Sequence, residues 1–252
     1  MKLEGKVGIV TGGAMGIGRA IALGLAKEGT NVVVADIAME PANEVVSEIK
    51  ALGRKAIAVK VDVTNAEDTK KMAKATLDEF GKIDILVNNA GADFGALFHQ
   101  SEKESWQHVQ DMTIGGVYNC TRAVINHMIE KQSGNILNIG SAAGIIGKPG
   151  STSYSAGKAG IVGFTMALAK EVVTYGINVN CISPGPILTR AGSEADTRPK
   201  ELKEQLIEST GFGRRGKPEE IAGPAVFLVS DDASFITGQN LNVGGLRNLG
   251  RT

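Results

Sequence analysis

Short apolar runs alternate along the chain with segments in which apolar residues recur every three or four positions. Seven runs rich in Val and Ile have the length of strands: 7–10, 32–35, 56–61, 83–87, 136–139, 177–182 and 241–243. Helical spacing lies between them, in segments 17–28, 40–51, 66–80, 102–130, 155–175 and 219–230. Strands with little polar alternation are typical of a sheet covered on both faces. The pattern predicts an α/β fold, a Rossmann-type doubly wound domain with about seven parallel strands and helices on both faces.

Length and composition support one domain that spans residues 1–252. No Pro-rich or Ser-rich linker divides the 252 residues, which are enough to enclose a large core. Lys and Arg number 27, as do Asp and Glu, so neither nucleic acid nor an anionic membrane is an expected partner. We expect no signal peptide before the first strand, and no apolar run is long enough to span a bilayer. We expect Cys120 and Cys181 to be buried and reduced, and the protein to be cytoplasmic.

Residues 11–18 form a glycine-rich turn between the first strand and the first helix. Backbone N–H groups at a helix N-terminus point outward, and the helix dipole favours a negative charge there. We predict that this turn holds the pyrophosphate of a dinucleotide through Gly12, Met15, Gly16, Ile17 and Gly18. The alternative is a tight turn without a ligand.

Asp36 ends the second strand, where a carboxylate meets the adenosine ribose in dinucleotide-binding folds. Its oxygens can accept hydrogen bonds from both ribose hydroxyls and would repel a 2′-phosphate. Neither the turn residues 13–15 nor Ile37 and Ala38 offer an Arg or Lys that could bind such a phosphate. The expected cofactor is therefore NAD(H) rather than NADP(H), with Asp36 and Ile37 at the ribose.

The fourth strand ends in Asn88, Asn89, Ala90 and Gly91, where small residues let a flat ring or a ribose approach the backbone. We therefore place Asn89, Ala90 and Gly91 among the cofactor-binding residues. Turn chemistry explains the asparagines equally well, and a helix cap or turn explains Asp62 after the third strand.

Three residues suggest catalytic chemistry. Ser141 follows the fifth strand, and Tyr154 and Lys158 lie four residues apart at the start of a helix, so both can face the same space. Ser141 would stabilise charge on a substrate oxygen, and Tyr154 would exchange a proton with that oxygen. Lys158, together with an oxidised nicotinamide ring, would lower the pKa of the tyrosine and would hold the nicotinamide ribose. The alternative is an exposed helical pair without a role.

These motifs, together with residues 184–189, resemble the classical short-chain dehydrogenase/reductase family over nearly the whole chain. The resemblance implies a seven-stranded sheet and an NAD(P)(H)-dependent alcohol dehydrogenase or carbonyl reductase. It implies that the nicotinamide carboxamide meets Pro184, Gly185, Ile187 and Thr189, and that the adenine meets Asp62 and Val63. It further implies a homotetramer whose interface is formed by the helices at 102–130 and 155–175.

The chain departs from the family pattern at two places. Thr113 stands where the family has a catalytic Asn after the tryptophan that matches Trp106. In the family that Asn positions a water that links the lysine to solvent. We therefore count Thr113 as a catalytic position whose proton relay is altered, and consider Asn119 too distant to replace it. At the other place, Val243 occupies the position where the family usually has Asp before two glycines.

The substrate is less defined than the cofactor. Six residues are expected to line its pocket: Ser141, Asp93, Ala142, Ile146, Tyr154 and Pro186. Segment 190–215 is predicted to form a lid that closes over the substrate, with a peripheral helix as the alternative. The three histidines, His99, His108 and His127, show no metal-ligand spacing, and no metal is expected.

Together these features predict an NAD(H)-dependent oxidoreductase that interconverts a secondary alcohol and a ketone, with a small molecule as substrate. One alternative is a 3-oxoacyl-thioester reductase, although such enzymes usually prefer NADPH, which Asp36 disfavours. A second alternative is a non-catalytic NAD(H)-binding protein of the same fold, which only Thr113 favours.

Overall fold

A single parallel sheet forms the centre of the molecule in the computed structural model, which describes residues 1–189, 204–205 and 207–246. The strands follow the order β3-β2-β1-β4-β5-β6-β7, and every neighbouring pair is parallel. They are β1 (Val7–Thr11), β2 (Asn31–Asp36), β3 (Ala56–Lys60), β4 (Ile85–Asn88), β5 (Gly134–Ile139), β6 (Ile177–Pro184) and β7 (Asn240–Val243). The predicted fold class and strand number are confirmed.

Helices follow most of the strands. They are α1 (Gly16–Lys27), α2 (Met39–Ala51), α3 (Ala66–Phe80), α4 (Lys103–Gln110), α5 (Gly116–Lys131), α6 (Ala143–Ile146), α7 (Thr152–Val172) and α8 (Glu219–Leu228). Single turns of 3₁₀ helix lie at Phe98–Gln100, Val173–Tyr175 and Asp231–Ala233. No helix among these residues is both long enough and apolar enough to cross a membrane.

The single helix predicted over 102–130 is divided in the structure. A π-helical turn, Asp111–Gly115, joins α4 to α5, and the residues on either side, Gln110 and Gly116, have helical backbone angles. Such a turn accommodates one extra residue, which apolar spacing does not reveal. The helix predicted over 155–175 begins earlier, at Thr152, and passes into 3₁₀ geometry after Val172.

Two apolar layers enclose the sheet, because the strands are buried on both sides. Side chains from α1, α2 and α8 form one layer, which includes Ile21, Leu25, Ile49 and Ile221. Side chains from α3, α5 and α7 form the other, which includes Met72, Val124, Met128 and Leu168. This double cover explains why the strand sequences lack polar alternation.

The strand order reverses between β1 and β4, which are neighbours in the sheet. In open parallel sheets, ligands bind beyond the carboxyl ends of the strands at such a switch point. The glycine turn follows β1, Asn89 follows β4, and Ser141 follows β5 after one intervening residue. The fold therefore brings the predicted cofactor and catalytic residues to one edge of the sheet.

Candidate active site

The glycine turn requires glycine because its backbone packs closely against the end of β4. Gly12 and Gly16 have φ angles of 61° and 55°, which residues with a Cβ rarely adopt. A Cβ on Gly12 would lie 2.9 Å from Asn89 Nδ2, and one on Gly18 would lie 2.5 Å from the same atom. Met15, the residue before α1, makes no side-chain capping bond, so the first N–H groups of the helix remain available to an anion.

Asn89 fastens the end of β4 to this turn. Its Nδ2 donates to the carbonyl oxygens of Thr11 and Gly12, both at 3.0 Å. In return, the backbone N–H groups of Asn89 and Ala90 donate to Thr11 Oγ1 at 3.0 and 3.2 Å. These four hydrogen bonds join the ends of β1 and β4 beneath the predicted dinucleotide site.

Asp36 closes the turn from the side of β2. Its Oδ2 accepts a hydrogen bond from the Ala14 N–H, and its Oδ1 accepts one from the Ala38 N–H, both at 3.0 Å. Each carboxylate oxygen has a second acceptor position, so the side chain can also receive two ribose hydroxyls. Ile37, beside it, is largely exposed. The residues present therefore fit a dinucleotide with a free 2′-hydroxyl.

Asp62 and Val63 lie just beyond β3 and are held in place by neighbours. The Thr64 N–H and the Thr64 hydroxyl both donate to Asp62 Oδ1, and neither of them donates to Asp62 Oδ2. Asn119 Nδ2 donates to the Val63 carbonyl oxygen at 2.9 Å. Asn119 therefore supports the predicted adenine pocket and lies away from the predicted relay.

Ser141, Tyr154 and Lys158 converge at the carboxyl end of β5. Tyr154 and Ser141 lie close enough for the serine to lower the pKa of the phenol, and Ser141 Oγ accepts from the Ala143 N–H at 3.1 Å. Lys158 Nζ donates to the Ile139 carbonyl oxygen at 2.7 Å and lies 5.6 Å from the centre of the Tyr154 ring. The structure thus brings the three predicted catalytic residues together, and their part in acid–base chemistry stays a prediction.

The protein's own groups shift the pKa of Tyr154 upward. Burial raises this pKa most, the nearby Ser141 hydroxyl lowers it, and the charge of Asp93 raises it further. Burial also lowers the pKa of Lys158 to about 8, while the nearby Cys181 opposes that shift. Lys158, which was expected to lower the pKa of the tyrosine together with an oxidised nicotinamide ring, is not among the groups that shift it here, and that lowering stays a prediction.

Thr113 lies in the π-helical turn and is fully buried. Its hydroxyl donates to the Val109 carbonyl oxygen at 2.6 Å. Its methyl group and Lys158 Nζ both lie within 4 Å of the point where a Cβ on Gly91 would stand. Thr113 is therefore near the lysine, but its one hydroxyl proton is donated elsewhere. A role in the proton relay stays a prediction.

One cavity of about 330 Å³ contains the predicted substrate residues. Its lining includes all six of them: Asp93, Ser141, Ala142, Ile146, Tyr154 and Pro186. The residues predicted to meet the nicotinamide carboxamide also line it: Pro184, Gly185, Ile187 and Thr189. Thr189 Cγ2 would lie 3.2 Å from a Cβ on Gly16, so the cavity adjoins the glycine turn. Their binding roles remain predictions.

The segment predicted as a lid, 190–215, lies largely outside the described residues. In its described part, Gly211 donates its N–H to the Gly245 carbonyl oxygen, and Arg214 forms an ion pair with Glu220 at 2.6 Å.

The turn after β6 packs against the glycines that follow β7. A Cβ on Gly185 would lie 2.6 Å from the Gly244 Cα.

Several residues at the site belong to none of the sequence motifs. Lys148 and Arg215 line the cavity, although no motif contains them. Gln110 Nε2 donates to the Ser153 carbonyl oxygen at 2.6 Å, and Ser153 Oγ donates to the Trp106 carbonyl oxygen at 2.7 Å. These bonds fix the start of α7, and hence Tyr154, against α4. Only the helical position of Ser153 beside Tyr154 hinted at such a role.

The cysteines lie apart from the protein surface. Cys120 and Cys181 are both free and buried, as expected, and burial raises the pKa of each thiol. In the described part of the chain, no three His, Cys, Asp or Glu side chains are placed to hold a metal ion.

Comparisons with known proteins show which family this chain is similar to. A family model described as enoyl-(acyl carrier protein) reductase matches residues 12–246. A 3-oxoacyl-[acyl-carrier-protein] reductase from Synechocystis is 43% identical over 245 residues, which cover 96% of this chain and 97% of the relative. The reductase of the same name from Thermotoga maritima is 39% identical and covers 97% and 98%.

Solved structures are similar over the same extent. A short-chain alcohol dehydrogenase from Sinorhizobium meliloti superposes with a TM-score of 0.95 at 32% identity and covers 99% of both chains. A protein named gox2181 superposes with a TM-score of 0.94 at 33% identity and covers 98% of this chain and 97% of its own.

Proposed function

The chain belongs to the short-chain dehydrogenase/reductase family, and from this premise we propose that it is an NAD(H)-dependent oxidoreductase that interconverts a secondary alcohol and a ketone. That it is an oxidoreductase follows from the family, whose members bind a nicotinamide cofactor. The choice of NAD(H) rests on one observation. Asp36, held by two backbone N–H groups, ends β2 beside the glycine turn, and its carboxylate would repel the 2′-phosphate of a dinucleotide bound at that turn.

The three polar residues at the end of β5 divide the chemistry. When bound, the cofactor supplies or accepts the hydride. Tyr154 Oη gives its proton to the substrate oxygen during reduction and takes it back during oxidation. The Ser141 hydroxyl donates to the same oxygen and stabilises its developing charge. The ammonium group of Lys158, fixed by Ile139, provides a positive field beside the tyrosine and a donor for the nicotinamide ribose.

Two alternatives are weighed against this proposal. The names of the relatives from Synechocystis and Thermotoga maritima favour a 3-oxoacyl-thioester substrate, which is itself reduced at a ketone. This second candidate uses the same site and the same residues. A non-catalytic binding protein is disfavoured, because Ser141 lies beside Tyr154 and Lys158 is anchored on Ile139, which keeps the three proposed acid–base residues together.

A substrate panel assayed with both cofactors tests the proposal. The panel contains cyclic, aromatic and acyl-thioester ketones with the matching alcohols, each with NADH or NADPH and their oxidised forms. We expect turnover in which kcat/KM is higher for NAD(H) than for NADP(H). A preference for NADPH would contradict the role given to Asp36, and no turnover with any substrate would favour the non-catalytic alternative.

The proposal includes a homotetramer in the cytoplasm. Tyr118 on α5 and Met166 on α7 are exposed. Val173 and Tyr175, in the 3₁₀ turn directly after α7, are exposed as well. Large apolar side chains on two adjacent helices favour burial against another copy of the chain. Light scattering at micromolar concentration is expected to give the mass of four chains, and a stable monomer would contradict this part of the proposal.

A further inference from the structure

Lys148 lies in the loop between α6 and α7 and reaches the loop that follows β4. Its Nζ donates to Asp93 Oδ2 at 2.7 Å, and Ser151 Oγ donates to the same oxygen at 2.7 Å. A parallel bridge between Ala96 and Ser151 adds a backbone link between the two loops. The lysine head group is thus tied across 55 residues of sequence at one wall of the substrate cavity.

The backbone of Lys148 is fixed as well as its side chain. Its N–H donates to Ser155 Oγ at 3.2 Å, and its carbonyl oxygen accepts from the Ser151 N–H at 3.1 Å. Gly147 and Gly150, both with φ of 72°, form the turns on either side. A side chain held at both ends loses little freedom when it binds a ligand, which favours a binding role over an incidental surface position.

The Lys148 ammonium group has N–H donors that are not bonded to Asp93, and it lines the cavity that contains Ser141 and Tyr154. Lys148 carries three N–H donors, of which one is given to Asp93. The side chain is 38% exposed and lines the same cavity as Ser141 and Tyr154. The Asp93 carboxylate that holds the lysine lies close enough to Tyr154 for its charge to act on that phenol. A substrate whose carbonyl oxygen meets Tyr154 would therefore extend toward Lys148.

The charges along the cavity favour an acceptor or an anion at this wall. Lys148 and Arg215 are its two cationic residues among those described, and Asp93 is its one anionic residue. Asp93 already accepts from Lys148 and Ser151, and the remaining N–H groups of Lys148 are donors that a ligand at this wall can receive.

We propose that Lys148 determines specificity by donating a hydrogen bond to a second oxygen of the substrate, beyond the reacting carbonyl. The preferred substrates are then oxo compounds that carry a carboxylate or a thioester carbonyl, and simple ketones are poorer. This inference rests on the proposed function, because it uses the same cavity and the same reacting oxygen. It adds a recognition residue that neither the motifs nor the catalytic group contains.

Matched substrates test this role. The reductive kcat/KM with NADH is measured for 3-oxobutanoate, for its N-acetylcysteamine thioester and for 2-pentanone, which has no second oxygen. The wild-type protein is compared with Lys148→Met and Lys148→Arg. Lys74→Met serves as the control, since Lys74 also forms an ion pair, with Asp78 on the surface of α3.

We expect wild type to prefer at least one of the two substrates with a second oxygen over 2-pentanone. In Lys148→Met, that preference falls by about tenfold or more, since a charged hydrogen bond is lost. Lys148→Arg retains most of the preference for a substrate with a second oxygen, and Lys74→Met leaves that preference at the wild-type value. Loss with 3-oxobutanoate alone identifies a carboxylate, and loss with the thioester alone identifies its carbonyl.

Other outcomes overturn the inference. An unchanged preference in Lys148→Met would show that the lysine does not read the second oxygen, as would a wild-type preference for 2-pentanone. An equal loss with all three substrates would show a structural role for the loop. Wild-type protein that turns over none of the panel with NADH would instead refute the proposed function, and this inference with it.

Discussion

The ammonium nitrogen of Lys158 lies 5.6 Å from the centre of the Tyr154 ring, and its hydrogen bond goes to the Ile139 carbonyl oxygen at 2.7 Å. The lysine is 3% exposed and has no carboxylate among the causes of its pKa shift. A buried cation without a carboxylate partner is costly to the folded state. The arrangement thus places a destabilising charge beside the proposed acid–base residue, which is common where function requires a positive field.

Lys158→Met is expected to stabilise the protein while it impairs catalysis. The pKa of Lys158 is about 8 in the folded protein and 10.5 in the reference state, so the unfolded chain binds the proton more tightly. This penalty is fully present below pH 8 and disappears as the pH rises toward 10.5. The penalty is about 3 kcal/mol at pH 7. Lys158→Met removes this penalty but also loses the hydrogen bond to Ile139, which contributes about 1 kcal/mol to stability.

Urea unfolding at pH 7 and pH 9.5 measures this effect at a fixed protein concentration. Wild type is expected to gain stability relative to Lys158→Met as the pH rises through this window. Lys74→Met, which removes an exposed lysine, controls for the general change in charge. A Lys158→Met variant that is less stable than wild type at pH 7, with the same pH slope, would show that the buried charge carries no penalty.

Asp36→Ala is expected to reduce the preference for NADH over NADPH. The change removes both the acceptors for the ribose hydroxyls and the charge that repels a 2′-phosphate. We expect the ratio of kcat/KM for the two cofactors to fall on the order of tenfold or more. Asp36→Asn separates the causes, because the amide keeps one acceptor for a backbone N–H but has no charge. An unchanged ratio in both variants would remove Asp36 from the ribose site.

Thr113→Val is expected to act mainly on stability. The variant keeps the shape of the side chain but leaves the Val109 carbonyl oxygen without the hydroxyl that donates at 2.6 Å. We expect the free energy of unfolding to fall by about 1 kcal/mol, with a smaller effect on kcat. Denaturant unfolding and steady-state kinetics measure the two quantities. A large fall in kcat at unchanged stability would instead assign the Thr113 oxygen to the proton relay.

Asn138→Leu is expected to disturb the packing of α7 on the sheet. Asn138 on β5 accepts from Asn88 Nδ2 at 2.9 Å and donates to Thr165 Oγ1 at 2.9 Å. All three side chains are buried, and Asn88 Oδ1 already has no partner. We expect a loss of about 2 kcal/mol in unfolding free energy, since the change leaves a buried donor without its acceptor. Asn178→Leu, where the amide makes a long exposed bond, is the control, and equal stability of both variants would contradict the expectation.

The parts of the site that sequence predicted best are those built from neighbouring elements. The glycine turn, α1 and Asp36 all belong to β1–α1–β2, so their order along the chain fixes their arrangement in space. Tyr154 and Lys158 are likewise one helical turn apart. Such local relationships need no knowledge of the remaining fold.

The parts that sequence missed depend on distant contacts. Lys148 gains its importance only because the loop that carries Asp93, 55 residues away, folds against it. Gln110 meets Ser153 across 43 residues. The π-helical turn at Thr113 adds a residue to one turn, which apolar periodicity does not register. The direction of the Tyr154 pKa shift depends on burial, which no local pattern contains.

Tyr154→Phe gives the most direct test that this chain performs NAD(H)-dependent oxidation and reduction through Tyr154. The variant removes one hydroxyl from the cavity and keeps the ring beside Lys158. Turnover of the best panel substrate and NADH binding by fluorescence are measured together, with the exposed Tyr175→Phe as control. We expect kcat to fall about a thousandfold while NADH still binds. Turnover within a few-fold of wild type would contradict this expectation.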